Sequence, residues 1–218
     1  EIVDNAVDAK AKNIKIQIIE KEKSHGQRTR TEIDKIIFLD DGKGISEEKL
    51  NGCLTFSEGE GTSDDRIGSF GVGLPNSSIS VGKKVEVYSR HNKSKWLYVF
   101  LDLDDQQKRE KAEFDDAKEK SPKDVFKGEV PAGINTIIVW SKLDKLDASR
   151  AKTIIKRGEK LLGRIYRYKI IEGLKISISS YEDNNKDAQA PIKQILPYDP
   201  LFVTTDQNYA TKYIWQHA

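Results

Sequence analysis

Residues 33–44 read IDKIIFLDDGKG, and this stretch decides the fold. Ile33, Ile36, Ile37, Phe38 and Leu39 form a short β-branched and aromatic run stopped by a glycine turn, which predicts a strand from Ile33 to Leu39 with Asp40 directly after it. A carboxylate at a strand end can accept a hydrogen bond from an exocyclic amine. Gly42 and Gly44 would let a flat ring approach the backbone closely. Asp-Gly turns are also common as plain turns, so the stretch needs company to carry a function. Upstream, IKIQIIE at 14–20 alternates as a second strand, expected to pair with the first across the polar loop EKSHGQRTR at 22–30.

Further upstream, EIVDNAVDAKAK at 1–12 sets Ile2, Val3, Ala6, Val7 and Ala9 on one helical stripe. Glu1, Asn5 and Asp8 fall on adjacent turns of another face, because three- and four-residue spacings are neighbours on a helix. A carboxylate and a carboxamide so placed could hold Mg²⁺ and a water together. An acidic, solvated helix start, favoured by the helix dipole, is the competing reading. The chain opens at Glu1 inside this helical pattern with no initiator Met, and an N-terminally incomplete piece is expected.

Downstream, Ser46 precedes EEKL as the N-cap of a short helix. Residues 57–73, SEGEGTSDDRIGSFGVG, carry five glycines, and a loop of that length and composition is usually functional. Its end, Gly68-Ser69-Phe70-Gly71-Val72-Gly73, precedes the helical LPNSSISV. Glycines before a helix start expose backbone N–H groups, which suits phosphate. It is neither the dinucleotide fingerprint, which follows a strand, nor a P-loop, which continues Gly-Lys-Ser/Thr. Strands are expected at 84–89, 96–103 and 134–140. Residues 102–130 hold 17 charged residues of 29 and read as a solvated insertion. A long amphipathic helix is expected from 148 to 171, with Gly173 as its C-cap, then an alternating strand, LKISISSY.

Composition removes several classes. The chain has 37 Lys+Arg against 35 Asp+Glu, a net charge of +2, so no global field selects nucleic acid or membrane, though a local patch is compatible. No apolar run approaches the length of a membrane-spanning helix. The single cysteine, Cys53, excludes a disulfide scaffold and a multi-cysteine metal site, and reads as a core thiol. With a single cysteine, a reducing, cytoplasmic home is expected. Trp96 and Trp140 read as packing residues. The Lys/Arg-rich stretch 152–167 reads as a solvated helix face or a phosphate contact.

Taken in order, EIVDNAVDA, LDDGKGI and GSFGVG resemble the N box and two glycine boxes of the GHKL superfamily. Its members include gyrase-type topoisomerases, heat-shock chaperones, histidine kinases and mismatch-repair ATPases. The resemblance covers residues 1 to about 145, and RIGSFGVGLPNSSIS is similar to the microrchidia-type and related prokaryotic ATPases. It implies an α+β, Bergerat-type two-layer sandwich: a mixed, mostly antiparallel sheet with helices on one face. The implied divisions are an ATP-binding domain at 1–145, a linking helix at 146–173 and the start of a transducer-like unit at 174–218.

The resemblance further implies ATP or ADP and Mg²⁺ as ligands. Glu1 would be the general base, Asn5 the Mg²⁺ ligand with Asp8 beside it, and Asp40 the adenine reader with Gly42 and Gly44 giving access. Gly68, Phe70, Gly71, Val72 and Gly73 would cradle phosphate under a lid of residues 57–70. Thr136 would stand for a late Thr near the adenine, although Asn135 occupies a place where Gly is usual. The cation for the γ-phosphate would come from a following domain. The implied activity is ATP hydrolysis that gates homodimerisation, with nucleic acid or a protein client as further partners. A non-hydrolysing nucleotide sensor and a protein kinase are the alternatives. Glu1 argues against the first, and the absence of a helical phospho-acceptor context around His25, His91 and His217 argues against the second.

Overall fold

In the computed structural model, residues 1–26, 28–55, 73–108, 115–126, 130–182 and 192–199 are described. Helix α1 (Ile2–Asp8) leads into the hairpin β1 (Asn13–His25) and β2 (Arg28–Asp40). After α2 (Glu47–Gly52) and α3 (Gly73–Ile79) come β3 (Gly82–Ser89), β4 (Leu97–Asp102), α4 (Leu103–Gln106), β5 (Lys118–Glu119) and α5 (Lys123–Phe126). Then follow β6 (Thr136–Leu143), α6 (Ala151–Ile165), α7 (Arg167–Ile171), β7 (Lys175–Glu182) and β8 (Lys193–Gln194).

These strands form one sheet in the order β5-β4-β3-β6-β2-β1-β7-β8. Every pairing is antiparallel except β1 with β7. The fold is therefore α+β with a mixed, mostly antiparallel sheet.

The strand patterns follow burial. The central strands β2 and β6 read as continuous apolar runs because both of their faces are covered. On one face Ile14, Ile16, Ile18, Ile36, Ile176 and Ile178 pack under Val3 and Ala6 of α1 and under Ala151 and Tyr166. On that same face Val85, Val87, Val99, Leu101 and Ile138 meet Ile2, Leu50 and Leu74 from α1, α2 and α3, and Leu54 just after α2. Phe38 and Trp140 join both groups and meet edge-on at 4.7 Å between centroids. The opposite face is thinner: Ile37, Leu39, Tyr88, Ile137 and Val139 are covered by Ile134 and partly by Trp96, Val125 and Val130. β1 alternates because its second face carries exposed Lys15 and half-buried Gln17.

Three expectations change. The polar stretch 22–30 is mostly strand: β1 and β2 run on to the pair His25↔Arg28. Its sequence hid this because neither face is buried, so no apolar alternation marks it. The helix expected over 148–171 is two helices that break at Tyr166, whose backbone (φ −97°, ψ 16°) leaves the helical well. Finally, β7 pairs with β1 from Asn13↔Lys175 to Glu20↔Glu182, so the sheet continues past the boundary expected at 145 and into the unit expected from 174. The reason is the apolar face Leu174, Ile176 and Ile178, which completes the core around Ile14, Ile16 and Ile18. Among the described residues, no helix is long and apolar enough to cross a membrane.

Candidate functional site

Helix α1 lies with Ile2, Val3 and Ala6 buried, which turns Glu1 and Asn5 outward as exposed side chains, with Asp8 half-buried one turn on. The far end of α1 is locked to the turn after β2. Lys43 N–H donates to the Ala9 carbonyl at 3.0 Å, and a Cβ on Gly42 would lie 2.8 Å from the Ala9 Cβ. Asp41 completes the lock by accepting from Lys12 N–H at 2.7 Å and from Asn13 N–H at 2.8 Å and Nδ2 at 2.6 Å. These bonds hold the Asp41 carboxyl below its usual range against the opposing effect of burial. Asp41 is therefore a structural residue.

Asp40 is different. It is only 8% exposed, and its Oδ1 accepts from Gly42 N–H at 2.9 Å. Thr136, paired with it across β2–β6, also hydrogen-bonds its carboxyl. Burial dominates, and with the nearby Asp41 charge it pushes the carboxyl up to about 6 despite those two bonds. No cation offsets the charge among the described residues. A buried carboxylate held in place but left without a counter-charge is suited to an N–H donor from a ligand.

The turn that carries Asp40 is clamped by a residue whose sequence context gave no hint of it. Asn135 Nδ2 donates to the Gly42 carbonyl at 2.7 Å, while its Oδ1 accepts from Arg90 Nε at 3.1 Å. Its backbone N–H donates to the Asp40 carbonyl at 2.9 Å, and its carbonyl accepts from Arg90 N–H at 2.9 Å. The position that weakened the family resemblance is thus the knot that fixes the turn. Ser89, fully buried, adds a second tie by accepting from Ile45 N–H at 2.8 Å and donating to the Asn135 carbonyl at 3.2 Å. Gly44 sits at φ +74°, and a Cβ there would collide with the Arg90 carbonyl, so the turn needs glycine at this position.

At the other end of α1, the Glu1 carboxylate lies against Gly73 at the start of α3; a Cβ on Gly73 would occupy the place of Glu1 Oε2. With a rise of 1.5 Å per residue, Glu1 and Ala9 are about 12 Å apart. The Asp40 turn and the Glu1–Gly73 pair therefore stand at opposite ends of α1. Glu1, Asn5, Asp40, Gly42, Gly44, Gly73 and Thr136 are brought together around α1 and the ends of β2 and β6. Gly68, Phe70, Gly71 and Val72, with the lid expected over 57–70, lie outside the described residues.

Around this site, among the described residues, no group of three or more His, Cys, Asp or Glu could hold a metal by itself. Asn5 offers one neutral side-chain oxygen one helical turn from Glu1, a donor set that fits Mg²⁺ only when phosphate and water supply the other ligands. Cys53 is half-buried beside the Leu50 cluster, and burial pushes its thiol up to about 12, so it is inert packing.

Comparison with known proteins agrees with this geometry. Protein MICRORCHIDIA 6 of Arabidopsis thaliana is 31% identical over 103 residues, which are 47% of this chain and 15% of that protein. The chain thus spans a small part of that relative. Among solved structures, the N-terminal domain of a DNA repair protein has a TM-score of 0.51 at 19% identity, over 91% of this chain and 50% of that one. The Aquifex aeolicus MutL ATPase domain complexed with ADP has a TM-score of 0.51 at 12% identity, over 91% of this chain and 61% of that one. Both share the fold. Residues 1–129 match the family described as "Histidine kinase-, DNA gyrase B-, and HSP90-like ATPase". That match takes in α1, the Asp40 turn and Gly73, and with it the chain belongs to this ATP-binding family.

Proposed function

We propose that the chain binds ATP with Mg²⁺ and hydrolyses it, and that the nucleotide state gates the pairing of two copies. The observation that carries this reading is the buried, uncompensated Asp40 at one end of α1, with Glu1 set against Gly73 at the other. Asp40 Oδ2 would accept from the adenine amine, and Asp40 is held for that task by Gly42 N–H and Thr136. Asn5 would hold Mg²⁺, which when bound offsets the phosphate charge. Glu1 would take a proton from the attacking water as general base. Its exposed carboxylate, free of the core, suits that role. Gly73, having no side chain, leaves room for the carboxylate beside the start of α3.

Glu1→Ala separates binding from turnover. General-base assistance contributes about 10²–10⁴-fold, so hydrolysis should fall by that order while ATP affinity stays near wild type. With hydrolysis blocked, the ATP-bound pair should accumulate as a doubled mass in light scattering of the full-length protein. Absence of Mg²⁺-dependent ATPase activity in the full-length wild type, or equal rates in the variant, rules the hydrolytic reading out.

A further inference from the structure

Beyond the sheet, the β1–β2 hairpin continues as a two-stranded arm. β7 pairs with β1 only as far as Glu20, and β6 pairs with β2 only from Lys35. The five pairs from Lys21↔Glu32 to His25↔Arg28 have no third strand among the described residues. The arm is therefore about 15 Å long at 3.4 Å per pair.

Its charges are sorted by face. The register shifts between Ile19 and Glu20, with Glu20 opposite Ile33 and Ile19 opposite Lys35, so Asp34 is the extra residue of a β-bulge. The bulge keeps Ile33 and Ile36 on the helix-covered face while Lys35, Arg30 and Arg28 share the other. On that other face lie Lys15, Lys21, Lys23, Arg28, Arg30 and Lys35, all exposed, with the acids Glu32 and the bulged Asp34 among or beside them. The helix-side face of the arm carries Glu20, Glu22, Ser24, Thr29 and Thr31. Glu20 is occupied there, accepting from Ala151 N–H at 3.0 Å. The chain as a whole is nearly neutral, at +2, so this segregation is local.

The arrangement works against the arm's own folding. Lys23 sits directly opposite Arg30, and like charges across a strand pair are destabilising. The Lys23–Glu32 ion pair on this face is long at 3.8 Å and partly exposed. A two-stranded ribbon without a packed face is already marginal in water. A polyanion would turn this repulsion into attraction.

We infer that the arm's basic face is a docking surface for duplex nucleic acid, read through its phosphates. A two-stranded ribbon fits the roughly 12 Å major groove. Cations repeating about 7 Å apart along each strand, in two rows about 5 Å apart, meet a backbone that is charged continuously along its length. The arm offers no apolar side chain on either face from Lys21 to Ser24 or from Arg28 to Thr31, so it has nothing to insert into a lipid bilayer. No contact with base edges is implied, and binding should be indifferent to sequence.

The test is fluorescence anisotropy of a labelled mixed-sequence duplex DNA with the full chain, titrated across roughly 50 to 200 mM salt. Wild type should bind with affinity that falls steeply as salt rises. Lys23→Gln/Arg28→Gln/Arg30→Gln should lower the log–log salt slope by about 2.7 and weaken binding about tenfold or more, since each phosphate contact contributes about 0.9 to the slope. Ser24→Gln/Thr29→Gln, on the arm's other face, should leave the slope unchanged. The triple variant should melt no lower than wild type, because it relieves the Lys23–Arg30 repulsion, and its ATP turnover without DNA should be unaltered. An unchanged slope in the triple variant overturns the inference. So does wild-type binding to phosphatidylserine vesicles without binding to the duplex.

Discussion

Asp40 is the residue on which binding and stability pull in opposite directions. Its carboxyl titrates near 6 in the folded chain against 3.8 in the reference state, so the folded form binds the extra proton. Stability contributed by that proton is present below about pH 4 and is lost as pH rises through about 6, a cost of about 3 kcal/mol at neutral pH. Asp40→Asn removes the buried charge. At about pH 7.5 the nucleotide-free variant should therefore be more stable than wild type by about 1–2 kcal/mol in urea, while calorimetry should find ATP binding abolished. In wild type, ATP affinity should fall as pH drops through about 6, since the protonated acid no longer offers the acceptor. A variant that is both less stable and still binds ATP would contradict both statements. Asp40, Gly42 and Gly44 were legible in the sequence because strand, acid and glycines are consecutive. Asn135 was not, because its partner Gly42 lies 93 residues away and asparagine before a strand has no local meaning.

Among the elements, the turn after β2 depends on atoms from β3 and from the residues just before β6. Asn135→Ala removes its links to Gly42 and Arg90 and leaves the Gly42 carbonyl without its donor. The expected cost is about 2–3 kcal/mol, seen as a lower urea midpoint with an unchanged m-value, together with weaker ATP binding. A normal midpoint would mean the turn is held by Ser89 and Asp41 alone. Helix α1 has a comparable tie on its other side, where the Tyr166 hydroxyl donates to Asp4 Oδ1 at 2.6 Å. Burial, with the carboxylate beside it, keeps that phenol firmly protonated. Tyr166 sits at the α6–α7 break, which hydrophobic periodicity could not reveal because Ile154, Ile155 and Leu162 on one side and Ile170 on the other still face the same core. The extra strand pairs of the arm escaped notice for the converse reason: without a buried face, a strand writes no pattern.

For the whole molecule, β6 inserts between β2 and β3, so only pairings of sequence neighbours such as β1 with β2 and β3 with β4 were foreseeable. The parallel pairing of β1 with β7 was not, since it joins residues some 160 positions apart. It makes residues 174–182 part of the nucleotide-binding sheet. A chain ending at Gly173 should therefore leave β1 as a bare edge over Ile14, Ile16 and Ile18. It should bind a hydrophobic dye such as ANS and lose its near-ultraviolet circular dichroism, whereas a chain ending at Asp199 should do neither. The same pairing has a consequence during synthesis. At about 5–20 residues per second, β7 leaves the ribosome roughly 10–30 s after β1. Through that interval the nascent chain carries an apolar ribbon whose permanent neighbour has not yet been made. Whatever shelters that ribbon then, a chaperone or a transient non-native strand, governs the yield of folded protein before any nucleotide arrives.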